Sequence, residues 1–122
     1  MMALSRAGRG LGDIDFFEAH DAFTIITALS LEACGFAPRG EALRRAKAGA
    51  FRRGGALPLS TFGGLKARGH PVGASGAYQV VEAVVQLRGE AGDNQVRQAR
   101  CALTQSIGGH GSVAVTHVLE AL

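Results

Sequence analysis

The chain has 122 residues, a length that predicts one domain around a single core. With 47% hydrophobic and 19% charged residues it has the composition of a globular chain, which excludes a disordered one. The total charge is only +3 and is unevenly placed, since Arg39, Arg44, Arg45, Lys47, Arg52 and Arg53 face Glu41 alone within positions 39–53; the basicity is a local patch and not a general affinity for nucleic acid.

Taken in chain order, the segment from Asp13 to Ala19 has a compact apolar centre and predicts a buried strand. Asp21 is placed to cap a helix from Ala22 to Cys34, with Phe23, Ile26, Leu29 and Leu31 on a broad apolar face and Gly35 and Pro38 as stop signals. Glu41 to Ala50 predicts a basic amphipathic helix that ends near Gly49. Leu57 to Phe62 is short and extended, and Pro58 assigns it to an edge or an entry position. Ala74 to Arg88 predicts a long helix with Val80, Val81, Val84 and Val85 in the core, because a valine-rich helix needs burial to form. Arg100–Gln105 and Ser112–Leu119 predict two strands of an antiparallel hairpin. The sum is a layered α/β domain (α-β-α) with a mixed sheet of about four strands.

Cys34 and Cys101 lie in apolar contexts without metal-ligand spacing, so both read as reduced core thiols of a cytoplasmic protein. No metal site is expected from these cysteines. No apolar run approaches membrane-spanning length, and the start does not have the pattern of a signal peptide. The abrupt opening, Met1-Met2-Ala3-Leu4, reads as the middle of a longer fold. The basic segment has only Phe51 among its aromatics, so it lacks the stacking platform of a single-strand nucleic-acid binder.

Two glycine turns carry the chemical signal. Gly63 to Gly76 places His70 at the entry of the long helix, and Ser106-Ile107-Gly108-Gly109-His110-Gly111 joins the last two strands. Each turn offers backbone N–H groups and an imidazole to a small volume, which suits a thioester or a phosphate-bearing ligand and a moving proton. His20 and His70 both fall just past strand ends, where α/β sheets bind ligands. Each has a plainer alternative: a turn histidine bonded to backbone for His70, and a helix-start histidine satisfied by Asp21 for His20. His110 lines the site or is an exposed hairpin residue, and His117 on the last strand reads as structural or solvent-facing. Ser75 and Ser106 are weaker substrate-binding candidates, and Ser106 reads equally as a small residue at a tight strand exit.

The ordered clusters His20-Asp21-Ala22-Phe23, Gly69-His70-Pro71 and Ser106-Ile107-Gly108-Gly109, with the stretch Val85 to Gly92, resemble the C-terminal half of thiolases. The similarity is to the sterol-carrier-protein-linked and archaeal-type branch, which is acetyl-CoA acetyltransferase-like, and it runs from Asp13 to Leu119. It implies a βαβαβαββ half of which residues 1–122 are part, without its first strand and helix and without the N-terminal half. His70 would then be the base that activates a nucleophilic cysteine and donates to an oxyanion. His20 would hold a water in a second oxyanion hole, and the N–H groups of Gly108 and Gly109 would face the acyl oxygen. The substrate implied is an acyl-CoA thioester, with no metal and no redox cofactor; the partners implied are an N-terminal thiolase half or partner subunit and further copies in a homo-oligomer.

The nucleophilic cysteine of that family has no counterpart here, so the chain alone is expected to be inactive. The second, acid/base cysteine belongs at position 22 or 106, where Ala22 and Ser106 stand; neither matches a thiolate as a base. The alternatives are a non-catalytic assembly or lipid-handling module, or one half of a thiolase-like aldolase complex. The basic segment would meet CoA phosphates or a subunit.

Overall fold

The computed structural model describes residues 2–122. In chain order the elements are α1 (Met2–Ala7), β1 (Phe16–Glu18), α2 (Thr24–Ala33), α3 (Ala42–Lys47), α4 (Gly64–Arg68), α5 (Ser75–Leu87), β2 (Cys101–Gly108) and β3 (Val113–Glu120). The sheet order is β1-β2-β3, with β1 parallel to β2 and β2 antiparallel to β3, so the sheet is mixed as expected. Phe16 lies opposite Ala102 and Glu18 opposite Thr104, while Thr104 lies opposite His117.

Strand alternation separates two cores. Phe17 and Leu103 point to one face, where Leu4, Ala28, Leu31 and Ala42 bring α1, α2 and α3 against the sheet. Phe16 and Ala102 point to the other, where they pack with Ala83 of α5, Val96 and Ala99. This is the α-β-α layering. Cys34 and Cys101 are buried and not in a disulfide, and burial pushes both thiols above their ordinary value. Among the described residues no helix is long and apolar enough to cross a membrane.

Four expectations need correction. The sheet has three strands, because Leu57–Phe62 contributes only an isolated parallel bridge between Phe17 and Leu59. Phe17 N–H donates to Pro58 O and Ser60 N–H to Phe17 O, both at 2.9 Å. Pro58 has no N–H to extend the ladder, and Ser60, at φ +43°, turns the chain away. Asp21 does not cap α2, whose N-cap is Phe23 without a side-chain bond; its carboxylate caps α4 instead. The basic helix is shorter than predicted, Ala42–Lys47, and Gly49 closes it at φ +83°. The long helix is present, but its most buried face is polar, and of the valines expected in the core Val81 is exposed while Val80, Val84 and Val85 are half-buried. Ser75, Gln79, Glu82, Ala83 and Gln86 are its buried residues, while Tyr78 and Val81 are 48% and 57% exposed.

Burial of that polar face is offset by hydrogen bonds to the Gln86 amide and to the Gln79 amide nitrogen. Gln86 Nε2 donates to Thr61 Oγ1 and Asn94 O, both at 2.7 Å, and its Oε1 accepts from Val96 N–H at 2.8 Å. Gln79 Nε2 donates to Gln105 O at 2.9 Å and more weakly to Glu18 O at 3.4 Å. Helix α1, which packs on β3 through Leu4, has no strong periodic pattern in six residues and was not foreseen.

Candidate active site

The site is assembled at one end of the sheet. β1 ends at Glu18 and delivers His20 in the following turn; the Gly63–Gly73 loop delivers His70 before α5 begins. The two imidazoles meet edge to face, with ring centroids 5.0 Å apart and planes at 81°. His70 is exposed, and its Nδ1 is 2.6 Å from the hydroxyl of Ser75, which is fully buried at the start of α5. One ring nitrogen is thus held by the helix, leaving Nε2 free to act. His20 is buried, and its Nδ1 has no hydrogen-bond partner. Burial first, and then the neighbouring His70, hold the His20 imidazole below its ordinary value, which favours its neutral form.

The loop that carries His70 is shaped by glycine and one carboxylate. Asp21 Oδ1 accepts from Leu65 N–H at 2.7 Å, which satisfies an orphan donor at the start of α4. Gly64 sits at φ +66°, and a Cβ there would lie 2.5 Å from Asp21 Oδ2. Only glycine allows this approach. Two residues past His70, the β-branched Val72 stands at φ +37°. Such a conformation costs on the order of 1–3 kcal/mol and is typical of functional loops. Beside Asp21 a largely apolar cavity of about 420 Å³ opens between α2 and α3, lined by Ala28, Leu31, Ala46, Phe51 and Lys66 among others.

The other candidates are placed less closely. Ser106, near the end of β2, packs under the first turn of α5: a Cβ on Gly76 would lie 3.0 Å from its hydroxyl. Gly108 ends β2 opposite Val113. Gly109, at φ +53°, and the exposed His110 form the hairpin turn. Among the described residues no hydrogen bond joins Gly108, Gly109 or His110 to either imidazole. His117 is exposed on β3, with its Nδ1 3.4 Å from Thr104 Oγ1. Ala22 follows directly on the His20-Asp21 turn and offers no polar atom. The basic segment is a solvated face that also braces loops: Arg44 pairs with Glu41, Arg53 donates to Asp93 O, and Arg45 donates to Phe36 O at 3.0 Å. Among the described residues no group of three or more His, Cys, Asp or Glu side chains is placed to hold a metal ion.

Sequence reasoning missed the polar cluster behind the imidazoles. Glu18 is fully buried, and Arg68 Nε donates to Glu82 Oε1 at 2.8 Å. The signal was a charged residue inside the apolar strand Phe16-Phe17-Glu18-Ala19.

Comparison with known proteins supplies the context. The family model described as thiolase C-terminal domain-like matches residues 1–121. An acetyl-CoA acetyltransferase of Methanothermobacter thermautotrophicus is 49% identical over 109 residues, which is 89% of this chain and 28% of that protein. Sterol carrier protein 2 of Bos taurus is 40% identical over 111 residues, 91% of this chain and 20% of that one. A solved structure titled "Ltp2-ChsH2(DUF35) aldolase" superposes with a TM-score of 0.84 at 30% identity, covering 98% of this chain and 30% of its own. The chain therefore spans less than a third of the length of each of these relatives.

Proposed function

Because the chain belongs to the thiolase C-terminal domain-like family, we propose that it is the C-terminal part of an acyl-CoA acyltransferase and supplies the histidine loops of a shared site. The observation that carries this reading is the pair of imidazoles, one exposed and one buried, with no accessible thiol on the same chain. Both cysteines are buried with thiols held above their ordinary value, the opposite of an activated nucleophile. The nucleophilic cysteine comes from an N-terminal half.

His70 accepts the thiol proton of that cysteine. The thiolate forms a C–S bond to the thioester carbonyl, and the resulting oxyanion is stabilised by N–H donors. The backbone of Gly108 and Gly109, the protonated His70 and a water held by His20 serve as those donors, with Ser75 fixing the His70 ring and Ser106 and His110 at the margin. The C–S bond to CoA then breaks as His70 returns its proton to the CoA sulfur, and CoA leaves as the thiol. No further cofactor is needed. The CoA phosphates or a neighbouring subunit meet the basic segment Arg39–Arg53. The outward apolar face of α5, Tyr78 and Val81, packs against the N-terminal half or a second copy. The two thiols, not joined in a disulfide, fit a reducing cytoplasm.

A second reading follows from Ala22 and Ser106. Without an acid/base cysteine at either position, carbon–carbon bond formation is disfavoured, and a thiolase-like aldolase half or a lipid-handling assembly module fits the same residues. The relatives named an aldolase and a sterol carrier protein favour this reading.

The test is thiolysis of acetoacetyl-CoA. The purified chain alone is expected to show none, and thiolysis by the chain alone overturns the reading. Once the chain is assembled with a cysteine-bearing N-terminal half, His70→Ala is expected to lower acyl transfer by about 10²–10⁴-fold, as for loss of a general base. His117→Ala is expected to leave it near wild type, and equal effects overturn the assignment.

A further inference from the structure

Six buried side-chain atoms lack a partner among the described residues: Glu18 Oε2, His20 Nδ1, Arg68 Nη2, Gln79 Oε1, Glu82 Oε2 and Gln105 Oε1. They belong to β1, its following turn, α4, α5 and β2, the elements around the site. Two are carboxylate oxygens on neighbouring side chains. Glu18 follows Phe16 on the α5 face of the sheet: Gln79 Nε2 reaches its carbonyl at 3.4 Å, Thr61, which donates its N–H to Glu18 Oε1, is bonded by Gln86 Nε2 at 2.7 Å, and Glu82 lies between Gln79 and Gln86 on the same buried face of the helix. Two ionised carboxylates cannot satisfy each other there, but one proton between them gives both a partner.

We propose that Glu18 is a positioning residue for His70: protonated, it donates to Glu82 and so fixes the Glu82–Arg68 pair that clamps the His70 loop to α5. Arg68 is the last residue of α4, two positions before His70. It is held three ways: Nε to Glu82 at 2.8 Å, guanidinium over the Tyr78 ring at 5.0 Å, and Nη1 to Gly69 O at 3.3 Å. The Arg68–Glu82 pair is largely buried, so it is little screened by solvent. The charged and polar groups that face Glu18 come from each neighbouring element. Glu82 comes from α5 and Arg68 from α4, Thr61 donates its N–H to Glu18 Oε1 at 3.3 Å, and Thr104 beside it on β2 bonds His117 of β3. Burial, followed by the Glu82 charge, pushes the Glu18 carboxyl up to about 8, against the weaker pull of Thr61 and Arg68. The clamp is therefore closed at neutral pH and loosens as Glu18 ionises.

The inference rests on the proposed role of His70 only for its functional meaning, and its test measures no acyl transfer, so the two can fail separately. In the 122-residue chain the carboxyl carbon of Glu18 is expected to titrate by NMR with a midpoint near 8. The Arg68 Nε–H and His70 backbone amide signals are expected to step at the same midpoint. In Glu18→Gln, which keeps shape and a donor, both signals are expected to stay at their low-pH positions throughout. Glu82→Gln is expected to release Arg68 at every pH. A Glu18 midpoint near 4.5, or Arg68 and His70 signals that do not respond while Glu18 titrates, overturns the proposal. The first of these needs only the wild-type chain, so a variant that fails to fold does not shield it.

Discussion

At the scale of single residues, two buried ionisable groups beside the candidate site act on stability in opposite senses. Glu18 has a folded value of about 8 against an ordinary 4.5. The folded state therefore holds a proton that the unfolded chain releases, and stability falls as pH rises from 4.5 to about 8, by at most about tenfold per unit in the unfolding constant. His20 is depressed below its ordinary 6.5. The unfolded chain binds that proton more tightly, so the His20 contribution is complete above 6.5 and is lost as pH falls through the folded value. Urea unfolding across pH separates them: Glu18→Gln is expected to flatten the slope between 6.5 and 8, and His20→Gln to remove the loss below 6.5. An unchanged slope in either variant counts against the corresponding burial effect. Both histidines were legible in the sequence as imidazoles past strand ends. Glu18, Glu82 and Arg68 were not, because their meaning lies in a contact among β1, α5 and α4 that no local pattern encodes.

At the scale of elements, the short helix α4 decides where His70 stands, and its cap comes from 44 positions earlier in the chain. Asp21→Ala is expected to cost about 1 kcal/mol, the usual loss of a capping carboxylate. Gly64→Ala is expected to cost about 1–3 kcal/mol, since it combines a left-handed backbone with a clash on Asp21. Thermal unfolding of the two variants and of the double variant checks this: the shared Asp21 contact makes the effects non-additive, and strict additivity contradicts the contact. The helices over 24–33 and 75–87 and the hairpin were readable from periodicity and glycine punctuation. The destination of the Asp21 side chain was not, because an aspartate beside a helix start is a local cue and Leu65 is a distant competitor. The Leu57–Phe62 strand failed for a related reason: Pro58 and the turn at Ser60 leave it one bridge.

For the whole molecule, the notable feature is a helix that buries glutamines and exposes valine and tyrosine. Sequence pattern assigned Val81 to the core because apolar periodicity marks the face that must be covered, not what covers it. In this chain the sheet covers the polar face, the other valines of α5 are half-buried, and Tyr78 and Val81 are left exposed. Light scattering at high concentration is expected to show self-association of the isolated chain, relieved by Val81→Lys. A monodisperse monomer at high concentration contradicts a partner-seeking face. The family itself was legible from three ordered clusters, His20–Phe23, Gly69–Pro71 and Ser106–Gly109. The chemistry of the whole protein was not, since these residues span less than a third of the length of the relatives they match.

The most direct measurement is mass spectrometry of acyl transfer from acetyl-CoA to an N-terminal thiolase half that carries the nucleophilic cysteine. The expected result is an acetyl adduct on that cysteine when this chain is present, a sharply lower yield with His70→Ala, and no adduct on Cys34 or Cys101. An adduct on this chain's own cysteines, or equal labelling of the N-terminal half with and without His70, contradicts the account.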